Sequence, residues 1–232
     1  MTRRPGLDPG PLASSMLPPA TRSVISDQAR NNVSAVVFDV GRVLVQWDLR
    51  LLFAKLIADP VELDWFTATV VTAEWHFQHD AGRPLAEMVE ERAAQYPDHA
   101  HVIRAYAQRF NETIPGPVPG SLELVEALHR RGIPLYAITN FGHELWERFR
   151  PTYPVFERFA DIVVSGTEKI AKPDPAIYAL AARRFGHPPG EMLFIDDNQA
   201  NVIAARTCGW QVHHFVDAEV LAADLKARRL IA

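Results

Sequence analysis

The chain has 232 residues, 48% hydrophobic and 22% charged, an ordinary globular composition that excludes wholesale disorder. Its net charge of −4 excludes a global basic footprint for nucleic acid or for an anionic membrane surface, and no apolar run approaches the ~18 residues of a membrane span. The single cysteine, Cys208, excludes an internal disulfide framework and a cysteine-built zinc site, and points to a reducing cytoplasm.

Residues 1–32 are rich in Pro, Gly and Ser and show no helical or strand period, so they read as a disordered tail. Prolines interrupt every stretch that could serve as the core of a signal peptide. At Ala35 to Val40 the chain turns abruptly apolar and β-branched, the pattern of a buried strand. Residues 49–115 contain no strand-like run. Leu85, Met88, Val89 and Ala93 recur at helical spacing there, as do Val102, Ile103, Tyr106 and Phe110, and the block ends in a stiff linker from Pro115 to Gly120. A helix is predicted over Ser121 to Arg131 with Leu122, Val125 and Leu128 on one face. Strands follow at Pro134 to Asn140 and Asp161 to Ser165, then a helix over Pro175 to Phe185 and a strand over Met192 to Asp197. A helix over Asn201 to Cys208 and a more polar, peripheral strand from Gln211 to Val216 complete the series. Gly132, Gly186 and Gly209 stand where the three helices stop. Strands alternating with helices imply a parallel sheet covered on both faces. The expected fold is therefore α/β: a Rossmann-like three-layer core from residues 33–48 and 116–232, with an all-helical cap inserted at 49–115.

Ligands bind beyond the carboxyl ends of strands in such a sheet. The first predicted strand ends at Asp39, the second at Thr139 and Asn140, and the fourth at Asp196 and Asp197; Lys172 lies just past the third. Acids at several strand ends are costly to bury unpaired, so their convergence calls for a cation. Two or three carboxylates from different strands make an oxygen-rich site of the hardness that Mg²⁺ prefers. A hydroxyl, an amide and an ammonium beside it can hold an anionic group, and one carboxylate can attack that group, as in phosphoryl transfer through an aspartyl-phosphate. Lys172 stands out because the chain has only four lysines, Lys55, Lys169, Lys172 and Lys226, among 24 basic residues.

Phe38-Asp39-Val40-Gly41-Arg42-Val43-Leu44, Ile138-Thr139-Asn140, Lys172-Pro173-Asp174 and Phe194-Ile195-Asp196-Asp197-Asn198 resemble, in order, the four motifs of haloacid dehalogenase-like hydrolases. The resemblance spans roughly residues 33–217, and the helical insertion resembles that superfamily's type-1 cap. It implies that Asp39 is the nucleophile and that Thr139 and Asn140 hold the substrate phosphate. It implies that Lys172 steadies the charge of nucleophile and phosphate. The main-chain carbonyl of Gly41 and the carboxylate of Asp197 match metal ligands, with Asp196 supporting them and Asn201 orienting the loop. One departure matters. Most phosphatases of the family carry a second aspartate two residues after the nucleophile, as general acid and base; here that position is Gly41. An Asp-x-Gly subset resembling sugar-phosphate phosphatases is still hydrolytic. The 2-haloacid dehalogenases of the superfamily need no metal, but they carry serines where this chain has Asp196-Asp197.

The function expected on these grounds is a cytoplasmic, Mg²⁺-dependent phosphatase of a small phosphorylated metabolite, monomeric or homodimeric, with no nucleic-acid or membrane partner. The alternatives are a metal-independent 2-haloacid dehalogenase and a catalytically weak capped sensor. His76, His79 and Asp80 read as a solvated face of the cap, against a metal site or a replacement acid. Asn140 could cap the following helix. His143 and Arg42 lie near enough to the motifs to meet a substrate.

Overall fold

The computed structural model describes residues 32–232; the tail predicted over 1–32 lies, but for its last residue, outside the described residues. Five parallel strands form one sheet in the order β3-β2-β1-β4-β5. They are β1 (Ala35–Phe38), β2 (Leu135–Thr139), β3 (Asp161–Val164), β4 (Met192–Asp196) and β5 (Gln211–His214). Each strand runs one or two residues shorter than its apolar pattern predicts. Among the residues cut off, Asp39, Asn140 and Asp197 line the site.

Alternation along the strands builds two cores. Val36, Phe38, Leu135, Ala137, Leu193 and Ile195 belong to one hydrophobic cluster, whereas Ala35, Val37, Ile138, Met192 and Phe194 belong to the other. A strand buried on both faces must be apolar at every position, which is why β1, β2 and β4 read as continuous runs. After the single turn of α8 (Ser165–Glu168), helix α9 (Pro175–Phe185) covers the second face with Ile177, Tyr178 and Ala181, and α10 (Gln199–Thr207) adds Ala205. On the first face α6 (Ser121–Arg130) presents Leu124, Val125 and Leu128. Leu122, expected on that face, is only partly buried; the buried stripe is Ser121, Leu124, Val125 and Leu128. Helix α10 starts at Gln199, earlier than expected, because the Asn198 side chain accepts from the Ala200 amide at 2.9 Å and caps it.

Every regular element between Arg50 and Thr113 is helical: α1 (Arg50–Phe53), α2 (Pro60–Trp65), α3 (Ala73–Asp80), α4 (Leu85–Gln95) and α5 (Ala100–Arg109), joined by short 3-10 and π turns. Phe53, Phe66, Met88 and Tyr106 from this insertion share one continuous core with Val36 and Phe38 of the sheet. The insertion is therefore packed as a roof over the carboxyl ends of the central strands. Helix α3 hangs over that edge. Thr72 caps it by accepting from the Trp75 amide at 3.1 Å, and the face it buries consists of Trp75, His76, His79 and Asp80.

Candidate active site

Strands β1 and β4 are neighbours, with Phe38 opposite Ile195, so Asp39 and Asp196 emerge at one edge of the sheet. The ammonium of Lys172 lies between them, 2.8 Å from Asp39 Oδ1 and 2.8 Å from Asp196 Oδ2. Asp196 is fully buried. It also accepts from the Asn201 amide at 3.0 and 3.1 Å and from the Asn198 main-chain N–H at 2.8 Å. Asp197 turns the other way and lines the cavity described below. One carboxylate oxygen from each of Asp39, Asp196 and Asp197 lies within 4.8 Å of the others.

Lys172 is placed by its main chain. Its N–H donates to Asn140 Oδ1 and its carbonyl accepts from Asn140 Nδ2. Asn140 therefore caps no helix; helix α7 (His143–Phe149) has no side-chain cap at its start. Thr139, at the end of β2, is buried one residue behind the cavity lining.

Burial alone would push the Lys172 ammonium toward neutrality, but the carboxylates of Asp196 and Asp39 outweigh it and hold its pKa above the ordinary lysine value. Asp39 is pushed up, to about 7, by burial first; Lys172 opposes this, and the charges of Asp196 and Asp197 reinforce it. Asp197 is also raised, by burial and by Asp196, with Arg42 and Lys172 opposing. One ammonium cannot balance three carboxylates. That donor set, all hard oxygens with an excess of negative charge, fits a divalent cation of the Mg²⁺ kind.

A cavity of about 170 Å³ opens over this cluster. From the core side it is lined by Asp39, Gly41, Arg42, Trp47, Asn140, Lys172 and Asp197, and from the insertion by His76, Asp80 and Phe110. The guanidinium of Arg42 lies over the Trp47 ring, 5.2 Å from its centroid. His143 is elsewhere, bonded through Nδ1 to Thr167 Oγ1 at 3.0 Å and absent from the lining.

The expectation of a solvated face at His76, His79 and Asp80 is overturned: all three are buried. His76 Nδ1 is hydrogen-bonded to the Tyr106 hydroxyl, and its Nε2 lies 3.3 Å from Asp80 Oδ2. His79 is wedged against the loop after β2, where a Cβ on Gly142 would stand 1.8 Å from its ring; only glycine leaves room for the imidazole against that backbone. The positions 75, 76, 79 and 80 are the spacing of one helix face. That period was the available signal, hidden because three of its four residues are polar.

A family model of haloacid dehalogenase-like hydrolases matches residues 33–209, most of the chain. The chain belongs to the haloacid dehalogenase-like hydrolases. The hydrolase is 24% identical over 208 residues to the sesquiterpene phosphatase astK of Aspergillus oryzae, covering 85% of this chain and 96% of the relative. Its fold is that of a Bacteroides thetaiotaomicron enzyme of the same family, solved with magnesium and inorganic phosphate; the TM-score is 0.62 at 21% identity, over 80% of this chain and 95% of that one. It is also that of the L-2-haloacid dehalogenase of Xanthobacter autotrophicus, with a TM-score of 0.56 at 18% identity, over 86% of this chain and 85% of that one.

Proposed function

We propose that this hydrolase is a Mg²⁺-dependent phosphatase that cleaves a small phosphorylated metabolite through an aspartyl-phosphate on Asp39. The observation that carries the reading is the convergence of Asp39, Asp196 and Asp197 within 4.8 Å. Such a cluster repels a haloacid carboxylate, whereas with a bound cation it receives a phosphate. Asp39, Asp197 and the Gly41 carbonyl would hold the ion, with Asp196 behind them. When bound, Mg²⁺ neutralises charge on the phosphoryl oxygens. The relative from Aspergillus oryzae is named a phosphatase, which supports the same reading, as does the magnesium and phosphate in the Bacteroides enzyme.

The residues then divide the work. Asp39 attacks phosphorus with one carboxylate oxygen as the ester P–O bond breaks and its electron pair leaves on the alcohol oxygen. Lys172, 2.8 Å from Asp39, favours its ionised form against the burial that raises it and offsets the charge of the transferring group. Thr139 supports the phosphate from the end of β2. Asn140 acts by fixing the Lys172 main chain, since both ends of its amide are engaged there. Water then attacks phosphorus and restores the Asp39 carboxylate. Arg42 and Trp47 at the mouth meet the rest of the substrate, and the single cysteine is consistent with a reducing cytoplasm. Among the described residues, no helix is long and apolar enough to cross a membrane.

The test is phosphate release from p-nitrophenyl phosphate. Turnover is expected with Mg²⁺, and is expected to be lost in excess chelator and in Asp39→Asn. Halide release from a 2-haloacid in chelator, without phosphate release, would replace this reading by the dehalogenase. Wild-type turnover in Asp39→Asn would exclude both.

A further inference from the structure

We propose that Asp80, carried on the helical insertion, is the general acid and base of this hydrolase and replaces the side chain that Gly41 lacks. The assignment rests on the phosphatase reading. Gly41 has no acid to offer, and a Cβ built there meets nothing within 4 Å, so no neighbouring side chain has moved in to fill the role from the sheet side. Across the same cavity the insertion contributes one acidic side chain among the described lining residues, and it is Asp80.

Asp80 is built as a positioned group. It is only 5% exposed. Its main-chain carbonyl accepts from the buried Ser165 hydroxyl at 2.5 Å, which ties the end of α3 to the core. Oδ2 lies 3.3 Å from His76 Nε2, and His76 is itself held by Tyr106. Among the described residues, Oδ1 is buried with no hydrogen-bond partner. A buried oxygen left unpartnered is costly and calls for a ligand; in this cavity the group that would meet it is the leaving oxygen of the substrate.

The groups facing Asp80 set its protonation. They are His76 and His79 from its own helix, Tyr106 from α5, Lys172 from the loop before α9, and the Gly142 amide ahead of α7. Burial pushes its pKa up to about 7, with His79, the Gly142 amide and Lys172 pulling the other way. An acid poised there can both give and take a proton near neutral pH. His76 cannot do so, because burial holds it neutral down to about pH 3.

The proton balance is complete. In the first step the Asp80 carboxyl gives its proton to the alcohol oxygen as Asp39 bonds to phosphorus, leaving aspartyl-phosphate, free alcohol and the Asp80 carboxylate. In the second, that carboxylate takes one proton from the attacking water. The water oxygen bonds to phosphorus, the Asp39–phosphorus bond breaks, and hydrogen phosphate leaves with Asp39 ionised and Asp80 protonated again.

The experiment compares a primary alkyl phosphate with p-nitrophenyl phosphate, in wild type and Asp80→Asn, both with Mg²⁺. Alkyl-phosphate turnover is expected to fall ~10²–10⁴-fold in Asp80→Asn, and the ratio of alkyl to aryl turnover by at least about tenfold, because nitrophenolate leaves without a proton. The fall in wild-type kcat on the alkyl phosphate as pH rises through about 7 is expected to vanish in the variant. An unchanged ratio in folded Asp80→Asn overturns the assignment while the phosphatase reading stands. A wild type that cleaves neither phosphate overturns both. If Asp80→Asn fails to fold, Asp80→Ser supplies the same comparison, and a wild-type kcat on the alkyl phosphate that is flat through about pH 7 overturns the assignment without any variant.

Discussion

Asn140 and Lys172 are bonded to each other twice. The Asn140 amide donates to the Lys172 carbonyl at 2.9 Å, and its oxygen accepts from the Lys172 main-chain N–H at 2.8 Å. The residue at the end of β2 thus sets the backbone from which the lysine reaches Asp39 and Asp196. Asn140→Ala removes both bonds and leaves a partly buried N–H and carbonyl unpaired. A loss of about 1–3 kcal/mol is expected in urea unfolding, the cost of orphaned polar groups. A fall in kcat of roughly tenfold or more is expected besides, since small misplacements at a reacting centre are expensive. Asn140→Ala with wild-type kcat would show that Lys172 is held by other means.

Asp197 tests the cation site by a route that does not depend on turnover. Its charge lies among those that raise Asp39, so removing it relieves repulsion in the metal-free protein. Asp197→Ala is expected to melt at the wild-type temperature or above without metal, and to lose the upward shift that Mg²⁺ produces in wild type. Phosphatase activity should vanish with that shift. A variant that keeps the full Mg²⁺-dependent shift would remove Asp197 from the ligand set.

The pair His76 and Asp80 makes a prediction about acid stability. His76 is held neutral by burial, with a pKa of about 3, whereas in the unfolded chain it takes a proton near 6.5. Its folded pKa is lowered, so acidification from pH 7 to 5 favours unfolding, by about 2 kcal/mol. Asp80 is raised to about 7 from an unfolded value near 3.9. It binds its proton in the folded state first, so the same acidification stabilises the fold by about 2 kcal/mol. The two cancel in wild type. Asp80→Asn leaves only the His76 contribution, so its unfolding free energy should drop by about 2 kcal/mol more than that of wild type between pH 7 and 5. Parallel pH dependence in the two proteins would mean that burial does not raise Asp80, since His76 contributes equally to both.

Much of this architecture is legible in the amino-acid order for a physical reason. Strands covered on both faces must be apolar throughout, so Ala35 to Phe38 and Met192 to Ile195 announce themselves, and the first polar residue after each run falls at the ligand-binding edge. Asp39, Thr139 with Asn140, and Asp196 with Asp197 are found that way, whereas Lys172, several residues past β3, stands out through the scarcity of lysine in the chain. What stays hidden depends on the roof. The period of 75, 76, 79 and 80 marks one face of α3, but the burial of that polar face is decided by Tyr106, Phe110 and Gly142, which are distant in sequence and meet it only in the folded chain. The engagement of both ends of Asn140 by the Lys172 backbone is hidden likewise, since it joins residues 32 positions apart.

Gly41 offers a gain-of-function test. Its backbone lies outside the left-handed region, and a Cβ there meets no atom within 4 Å, so an L side chain enters without strain. The main-chain carbonyl proposed to face the cation is kept, and the short bridge between Gly41 and Val45 preserves the local backbone. Gly41→Asp therefore adds a carboxyl to the cavity on the sheet side, opposite Asp80. In the Asp80→Asn background it is expected to restore alkyl-phosphate turnover by at least about tenfold, a fraction of what a positioned acid contributes. In the Asp80-intact protein the gain should be small, because a proton donor is already present. If Gly41→Asp folds but lowers turnover equally in both backgrounds, the space above Gly41 is needed by the substrate itself, and the proton must come from the insertion alone.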